Sequence, residues 1–423
     1  MLYHFYELNQ AALSPARAVA EVSRLLFRNP LNPASHTPFG RGAAAAFELF
    51  ERSTRRYREP VWDIATTKVG GRDVAVRERT IIDKPVCKLV HFERDVSALR
   101  RRRDNKILIV APLAGHFPTL LRGTVRDMLP DHEVYVTEWK DARQVPRASG
   151  GFDLEDYVDY IVEFLRHFRG DVHVMAVCQP TVPVFAAVSL MEAANDPNVP
   201  HSMVLLAGPI DARENPTAVN KFAVSRTVEW FRRNVITQVP WPLPGMMRNV
   251  YPGFLQLTGF MGMNFGRHLS AHRDHFHHLI RGDGDSAEKH REFYDEFLAV
   301  MDLTEEYYLQ TIENVFIEHK LPKGEMIHRN VKVDPSKIRR VALMTVEGEK
   351  DDITGLGQTY AAHNLSKNLP ETMRAHHVQL GAGHYGVFNG SRFRAEIAPK
   401  IKAFMASHRR RTGLLARAFS RNA

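Results

Sequence analysis

The stretch "VHVMAVCQPTVPVFAA", Val172 to Ala187, decides the fold. An unbroken apolar run stops at Cys178, Gln179 and Pro180 follow, and a small-residue segment, Pro183 to Ala193, then reads as a helix. Strands that are apolar on both faces and hand over directly to helices belong to parallel sheets covered on both sides. A cysteine on such a corner is lifted above the sheet edge by the sharp turn. The start of the following helix favours negative charge and so a thiolate. Pro183 suits the first helical turn, where a missing N–H costs little. The N–H of Gln179 is left to face a developing oxyanion.

The same alternation extends on both sides. "KILIVAPL" (Lys106 to Leu113), "EVYVTEW" (Glu133 to Trp139) and "SMVLLAGPI" (Ser202 to Ile210) read as strands. "TLLRGTVRDML" (Thr119 to Leu129) reads as a helix, and so does Asp153 to Phe168, with Asp153 as N-cap. "RDVAVRERTII" and "VCKLVHF" form an antiparallel edge. The pattern breaks from Asp211 to about Ser336, a Pro- and Gly-punctuated, mainly helical region in which Asp285 and Glu288 are spaced like a capping box. Strands resume at "RRVALMTVEGE" and "RAHHVQLGAG", and Arg394 to His408 is a closing helix with a proline inside it. The expected division is an N-terminal helical segment (1–63), an α/β core in two parts (64–210 and 337–408), a helical cap insertion (211–336) and a basic tail (409–423).

Bulk properties narrow the function classes. The chain has 423 residues, 44% apolar and 25% charged, enough for a large core. Two cysteines make no disulfide framework, no secretory signal is read at the N-terminus, and no apolar run is long enough to span a membrane. A cytoplasmic protein is expected. The net charge of +9 gathers partly in "LRRRRDNK" (Leu99 to Lys106) and in the tail after Ser407. Such clusters favour an anionic surface, although solvated segments are the simpler reading. No nucleic-acid-binding signature accompanies them, so no nucleic-acid partner is expected.

Two further strand-end loops carry chemistry. "VEGEKDDITG" (Val346 to Gly355) offers an acid, Asp351 before Asp352. "LGAGHYGVFNG" (Leu380 to Gly390) offers His384 among small neighbours. Nucleophile, acid, histidine is the chain order of α/β-hydrolases, and all three fall at the carboxyl edge of the sheet, where open α/β sheets place their sites. The turn in "VAPLAGHFPTLLRG" places the second oxyanion donor at Leu113 or Ala114, with His116 able to line the pocket. Cys87, inside a strand, is structural. The histidines of "AHRDHFHHL" (His272, His275, His277, His278) lack a firm ligand spacing and are read as a solvated loop, with no metal. The Met- and Phe-rich "PWPLPGMMRNVYPGFLQLTGFMGMNFG" is either helix core or an adaptable apolar rim.

With its "VCQP" box, "GEKDDI" acid loop and "GHYGVFNG" histidine loop, the chain resembles the intracellular poly(3-hydroxybutyrate) depolymerases, from "MLYHFYELNQA" to the last helix. The resemblance implies an α/β-hydrolase fold with Cys178 as nucleophile, Asp351 as acid and His384 as base. It also implies a substrate of amorphous polyester storage granules, and no cofactor is needed; attachment to the granule surface, the expected partner, is motivated by the Arg-rich tail and the apolar insertion. The acyl acceptor is water or a thiol such as coenzyme A. Two rivals are a polyester synthase-like acyltransferase and a non-catalytic granule-coating or nucleic-acid-binding protein. Synthases carry Gly-x-Cys-x-Gly and an Asp-His-Ile acid loop; Pro180 and Asp352 depart from both.

Overall fold

A computed structural model describes residues 2–97, 104–263, 265–281 and 283–409. Most of the basic cluster at 99–106 and nearly all of the tail lie outside the described residues. Nine strands make one sheet: β1 (Thr66–Val69), β2 (Arg72–Asp83), β3 (Cys87–Arg94), β4 (Asn105–Val110), β5 (His132–Trp139), β6 (His173–Val177), β7 (Ser202–Leu206), β8 (Ala342–Gly348) and β9 (Arg374–Gln379). Their order is β1-β2-β3-β5-β4-β6-β7-β8-β9. The first three form an antiparallel meander whose third strand pairs antiparallel with β5, and every pair from β5 to β9 is parallel. This is the α/β-hydrolase arrangement. Strand order reverses between β4 and β6, which opens a crevice at their carboxyl ends.

The parallel strands are buried on both faces. Ile107 to Val110, Val174 to Val177 and Met203 to Leu206 have no exposed surface, which accounts for their unbroken apolar runs.

Helices α1 (Leu2–Ala12), α2 (Ser14–Arg28) and α3 (Pro38–Thr54) precede the sheet. Helices α4 (Arg122–Met128), α5 (Leu154–His167) and α6 (Thr181–Ala193) cover it. Asp153 caps α5 as expected, in a reciprocal box with Asp156. Helix α4 departs from expectation, because a 3₁₀ turn over Pro118–Leu121 precedes it.

Between β7 and β8 the chain makes a mainly helical excursion. It includes α7 (Phe265–Arg281), α8 (Gly284–Phe297), the helix Glu305–Thr311 and a small sheet of Thr237–Gln238, Asn249–Tyr251 and Leu303–Thr304. Helix α8 starts one residue before Asp285, so the capping-box reading of Asp285 and Glu288 fails: Asp285 lies inside the first turn. The histidines read as a solvated loop are helical, within α7. His275 is buried against Glu48 and stacks on His290 at 4.0 Å between ring centres. Among the described residues no three His, Cys, Asp or Glu side chains gather as a metal would need, and no helix is long and apolar enough to cross a membrane. The last helix, α9 (Ala398–Ser407), is preceded by a π turn over Phe393–Ile397. Its proline, Pro399, thus falls in the first turn, where no N–H is required.

The N-terminal helices pack in an unusual sense. On α1 the buried residue is Tyr3, whose hydroxyl donates to Asp302 at 2.8 Å. On α2 it is Ala20, flanked by Arg17, which donates to Gln10 and to the Thr54 carbonyl. Leu2, Phe5, Leu8, Val19, Val22, Leu25 and Leu26 face solvent.

Candidate active site

Cys178 follows β6 directly and has φ +67°, the left-handed region that a side-chain-bearing residue adopts only under constraint. Two hydrogen bonds impose it. The Cys178 N–H donates to the Leu206 carbonyl at 2.7 Å, and its carbonyl accepts from Thr181 at 3.1 Å. Helix α6 starts at Thr181, two residues earlier than the sequence suggests. Pro180 takes φ −61° at the N-cap position, where its fixed φ and missing N–H both fit, so the turn forms without the usual second glycine. The Gln179 N–H donates to no protein acceptor among the described residues.

The acid loop leaves β8 and folds back on itself. Buried Glu347 accepts from the N–H groups of Gly357, Thr359 and Tyr360. Asp351 Oδ1 accepts from Ile353 at 2.9 Å and Thr354 at 2.8 Å, which aims Oδ2 at His384 Nδ1, 2.8 Å away. A carboxylate only accepts, so Nδ1 carries the proton and Nε2 is turned toward the sulfur. The Asp351 side chain is fully buried, whereas Asp352 is exposed. The histidine loop is tied to the acid loop by the Lys350 N–H on the Ala382 carbonyl (2.8 Å) and the Gly381 N–H on Glu349 (2.7 Å).

Burial alone would lower the basicity of His384. The Asp351 carboxylate and the Cys178 sulfur, both in electrostatic and hydrogen-bonding contact with the ring, outweigh it and push the pKa well above the usual imidazole range. Cys87 is fully buried, and desolvation pushes its thiol well above the ordinary range. Its sulfur donates to the Lys88 carbonyl, and no imidazole or carboxylate hydrogen-bonds to it among the described residues.

Cys178 and His384 open on a cavity of about 40 Å³ lined by Pro112, Ala114, Phe117, Leu120, Ile353, Tyr385 and Phe388, together with His116. The turn after β4 lines the same cavity as Cys178. Ala114 lines the cavity and Leu113 is buried beside it. Neither N–H has a protein acceptor among the described residues. Gly115, at φ +94°, holds the turn close to the excursion: its carbonyl accepts from Met301 at 2.7 Å, and a Cβ there would strike Gln256. His116 is buried, meets the Phe297 carbonyl through Nε2 at 3.1 Å, and titrates at about 4 because of desolvation, so it is neutral near pH 7.

Sequence reading missed the aromatic wall. Tyr385 and Phe388 flank His384 at 5.8 and 5.6 Å between ring centres, and Tyr385 also meets Phe293 and Phe297 of α8. The first two were within reach as apolar neighbours of the histidine motif. Tyr307, whose hydroxyl lies against the Gln179 side chain behind the corner, had no local signal. Of the Met- and Phe-rich stretch, Trp241, Met246 and Met247 are exposed, and Phe254 packs on Tyr3.

Residues 207–409 match the family model described as PHB de-polymerase C-terminus. No curated protein matches the chain in sequence. Among solved structures, an esterase from Thermogutta terrifontis is 11% identical, covering 82% of this chain and 98% of its own at a TM-score of 0.40. A monoacylglycerol lipase from Paleococcus ferrophilus is 11% identical, covering 72% and 94% at 0.40. A membrane phospholipase A, described as a bacterial virulence factor, is 13% identical, covering 79% and 87% at 0.41.

Proposed function

We propose, from the match of residues 207–409 to the family model described as PHB de-polymerase C-terminus, that the chain is an ester hydrolase that cleaves amorphous poly(3-hydroxybutyrate) through a Cys178–His384–Asp351 relay. The observation that carries the reading is the 2.8 Å bond from His384 Nδ1 to a fully buried Asp351, on an imidazole that also contacts the sulfur of a strained strand-to-helix corner.

The chemistry follows from that arrangement. The Cys178 proton passes to His384 Nε2, and Asp351 holds the ring and offsets the imidazolium charge. The thiolate attacks an ester carbonyl of the polymer, forming a C–S bond. The carbonyl oxygen becomes an oxyanion held by the N–H of Gln179 and by that of Ala114, the better placed of the two candidate donors because it lines the cavity. The C–O bond breaks, and His384 returns its proton to the departing hydroxyl. Water, or a thiol such as coenzyme A, then attacks the thioester with His384 as base. With water a 3-hydroxybutyrate unit or oligomer leaves as the acid, with coenzyme A as its thioester, and in both cases the Cys178 thiol is restored. The narrow apolar cavity suits a methyl-branched acyl unit, while the rest of a polymer chain would lie outside it.

The test compares Cys178→Ala with Cys87→Ala on amorphous polyester particles, following turbidity and released 3-hydroxybutyrate. Cys178→Ala is expected to abolish release and Cys87→Ala to retain it. Undiminished release by Cys178→Ala would remove the nucleophile. A synthase-like activity would instead lengthen polymer from 3-hydroxybutyryl-CoA, and no net chain growth is expected.

A further inference from the structure

We infer that the outward apolar face of α1 and α2 is the surface by which this chain docks on solid polyester; the inference rests on the polyester reading above. A helix on a water-soluble protein normally turns its apolar stripe inward. These two present a second apolar face outward. Phe5 and Leu8 are 71% and 69% exposed, and Val19, Val22, Leu25 and Leu26 are 64%, 67%, 56% and 55% exposed. Their inner sides hold to the body through aromatic packing, Tyr3 and Tyr6 on Phe254 and Phe27 on Phe47, and through polar contacts from Tyr3 to Asp302, Glu7 to Arg56 and Arg17 to the Thr54 carbonyl. A contiguous apolar face of this kind marks an interaction surface.

Charge selects the occupant. At a net charge of +9, two copies of the chain repel each other, whereas an apolar surface carrying carboxylate chain ends attracts it. Amorphous polyester offers both, in a repeat with apolar methyl branches and in acidic termini. Trp241, 81% exposed, comes shortly after Thr237–Gln238, a strand that packs against α1. Tryptophan is the residue type suited to a boundary between an apolar phase and water.

The face is also wired to the site. Helix α3, packed against α2, binds α8 through Glu48 to Arg291 (2.7 Å) and through Arg52 and Arg55 to Asp295 (2.7 and 2.6 Å). Phe293 and Phe297 of α8 meet Tyr385, which lines the cavity beside Cys178. Docking on α1 and α2 would thus act on elements linked by contacts to the cavity wall.

Two full-length variants test this: Val19→Ser/Val22→Ser/Leu25→Ser/Leu26→Ser, and Phe5→Ser/Leu8→Ser. Each is measured for co-sedimentation with amorphous poly(3-hydroxybutyrate) particles and with anionic phospholipid vesicles. Turnover of soluble p-nitrophenyl butyrate and sedimentation velocity complete the set. Apparent affinity for the particles is expected to fall by about tenfold or more in each variant, with soluble-ester turnover within about twofold of the parent. Using one variant from each helix keeps the test standing if the other fails to fold. Unchanged particle binding overturns the inference. So does a parent dimer that the variants dissociate, or a parent that binds vesicles in preference to polyester. If parent and variants degrade particles equally, docking fails and the polyester reading stands. If the parent docks through this face but leaves the polymer intact, the reading fails and docking stands.

Discussion

At the scale of single residues, adjacent carboxylates have unequal prospects. Asp351 is buried, fixed by two backbone N–H groups and bonded to His384; Asp352 is exposed. Asp351→Asn is expected to lower kcat for a soluble butyrate ester by about 10⁴, and Asp352→Asn by no more than about threefold. Equal losses in steady-state assays would reassign the acid. The raised His384 pKa has a definite sign. The imidazolium that protonates the leaving group persists above the usual histidine range, so the alkaline limb of kcat/KM lies above it. Asp351→Asn removes the main raising influence, and a pH–rate profile of its residual activity should show that limb displaced downward. For stability the same raised pKa means a contribution that is fully present below the unfolded value and is lost as pH rises through the folded one.

At the scale of elements, the site depends on how closely two loops approach. A Cβ on Gly348, at the end of β8, would sit 2.7 Å from the Ala382 carbonyl oxygen and 2.9 Å from Val387. Gly348→Ala should therefore push the histidine loop from the acid loop, costing about 1–3 kcal/mol in a denaturant melt and at least about tenfold in kcat. Glu48 does comparable work between helices. Burial would raise its pKa, but His275, Arg291 and Arg28 override that and bring it to about 2. Its stabilisation is present above the ordinary carboxylate pKa and is lost as pH falls toward 2. Glu48→Gln is expected to cost about 1–2 kcal/mol at pH 7, less than a fully buried pair because Arg28 is well exposed. The difference in Tm from the parent should close as pH approaches 2. The sequence showed the sheet, its corner and the three chemical loops because each rests on a local pattern: an apolar run, a turn, a charged or imidazole residue after it. The burial of His275 had no such pattern, since its partner Glu48 comes from a distant helix. The closing helix was read from Arg394 with a proline inside it because a π turn is invisible to helical spacing.

At the scale of the molecule, periodicity marks α1 and α2 as amphipathic without saying which side the body takes. Only the partners on Asp302, Thr54 and Arg56 decide that, and they belong to other elements. The excursion between β7 and β8 contributes to the closure of the site, as Met301 and Phe297 bond to the turn after β4. What remains is a cavity of about 40 Å³. A polyester with pentyl branches should accordingly be degraded at least about tenfold more slowly than one with methyl branches, read as monomer release per unit of particle surface.

The sealed position of Cys87 has a practical corollary. With its sulfur fully enclosed and hard to ionise, alkylating reagents should meet a single responsive thiol per native molecule. One mass increment of iodoacetamide, mapped to the peptide holding Cys178 and gained in step with inactivation, would then count the competent molecules in a preparation.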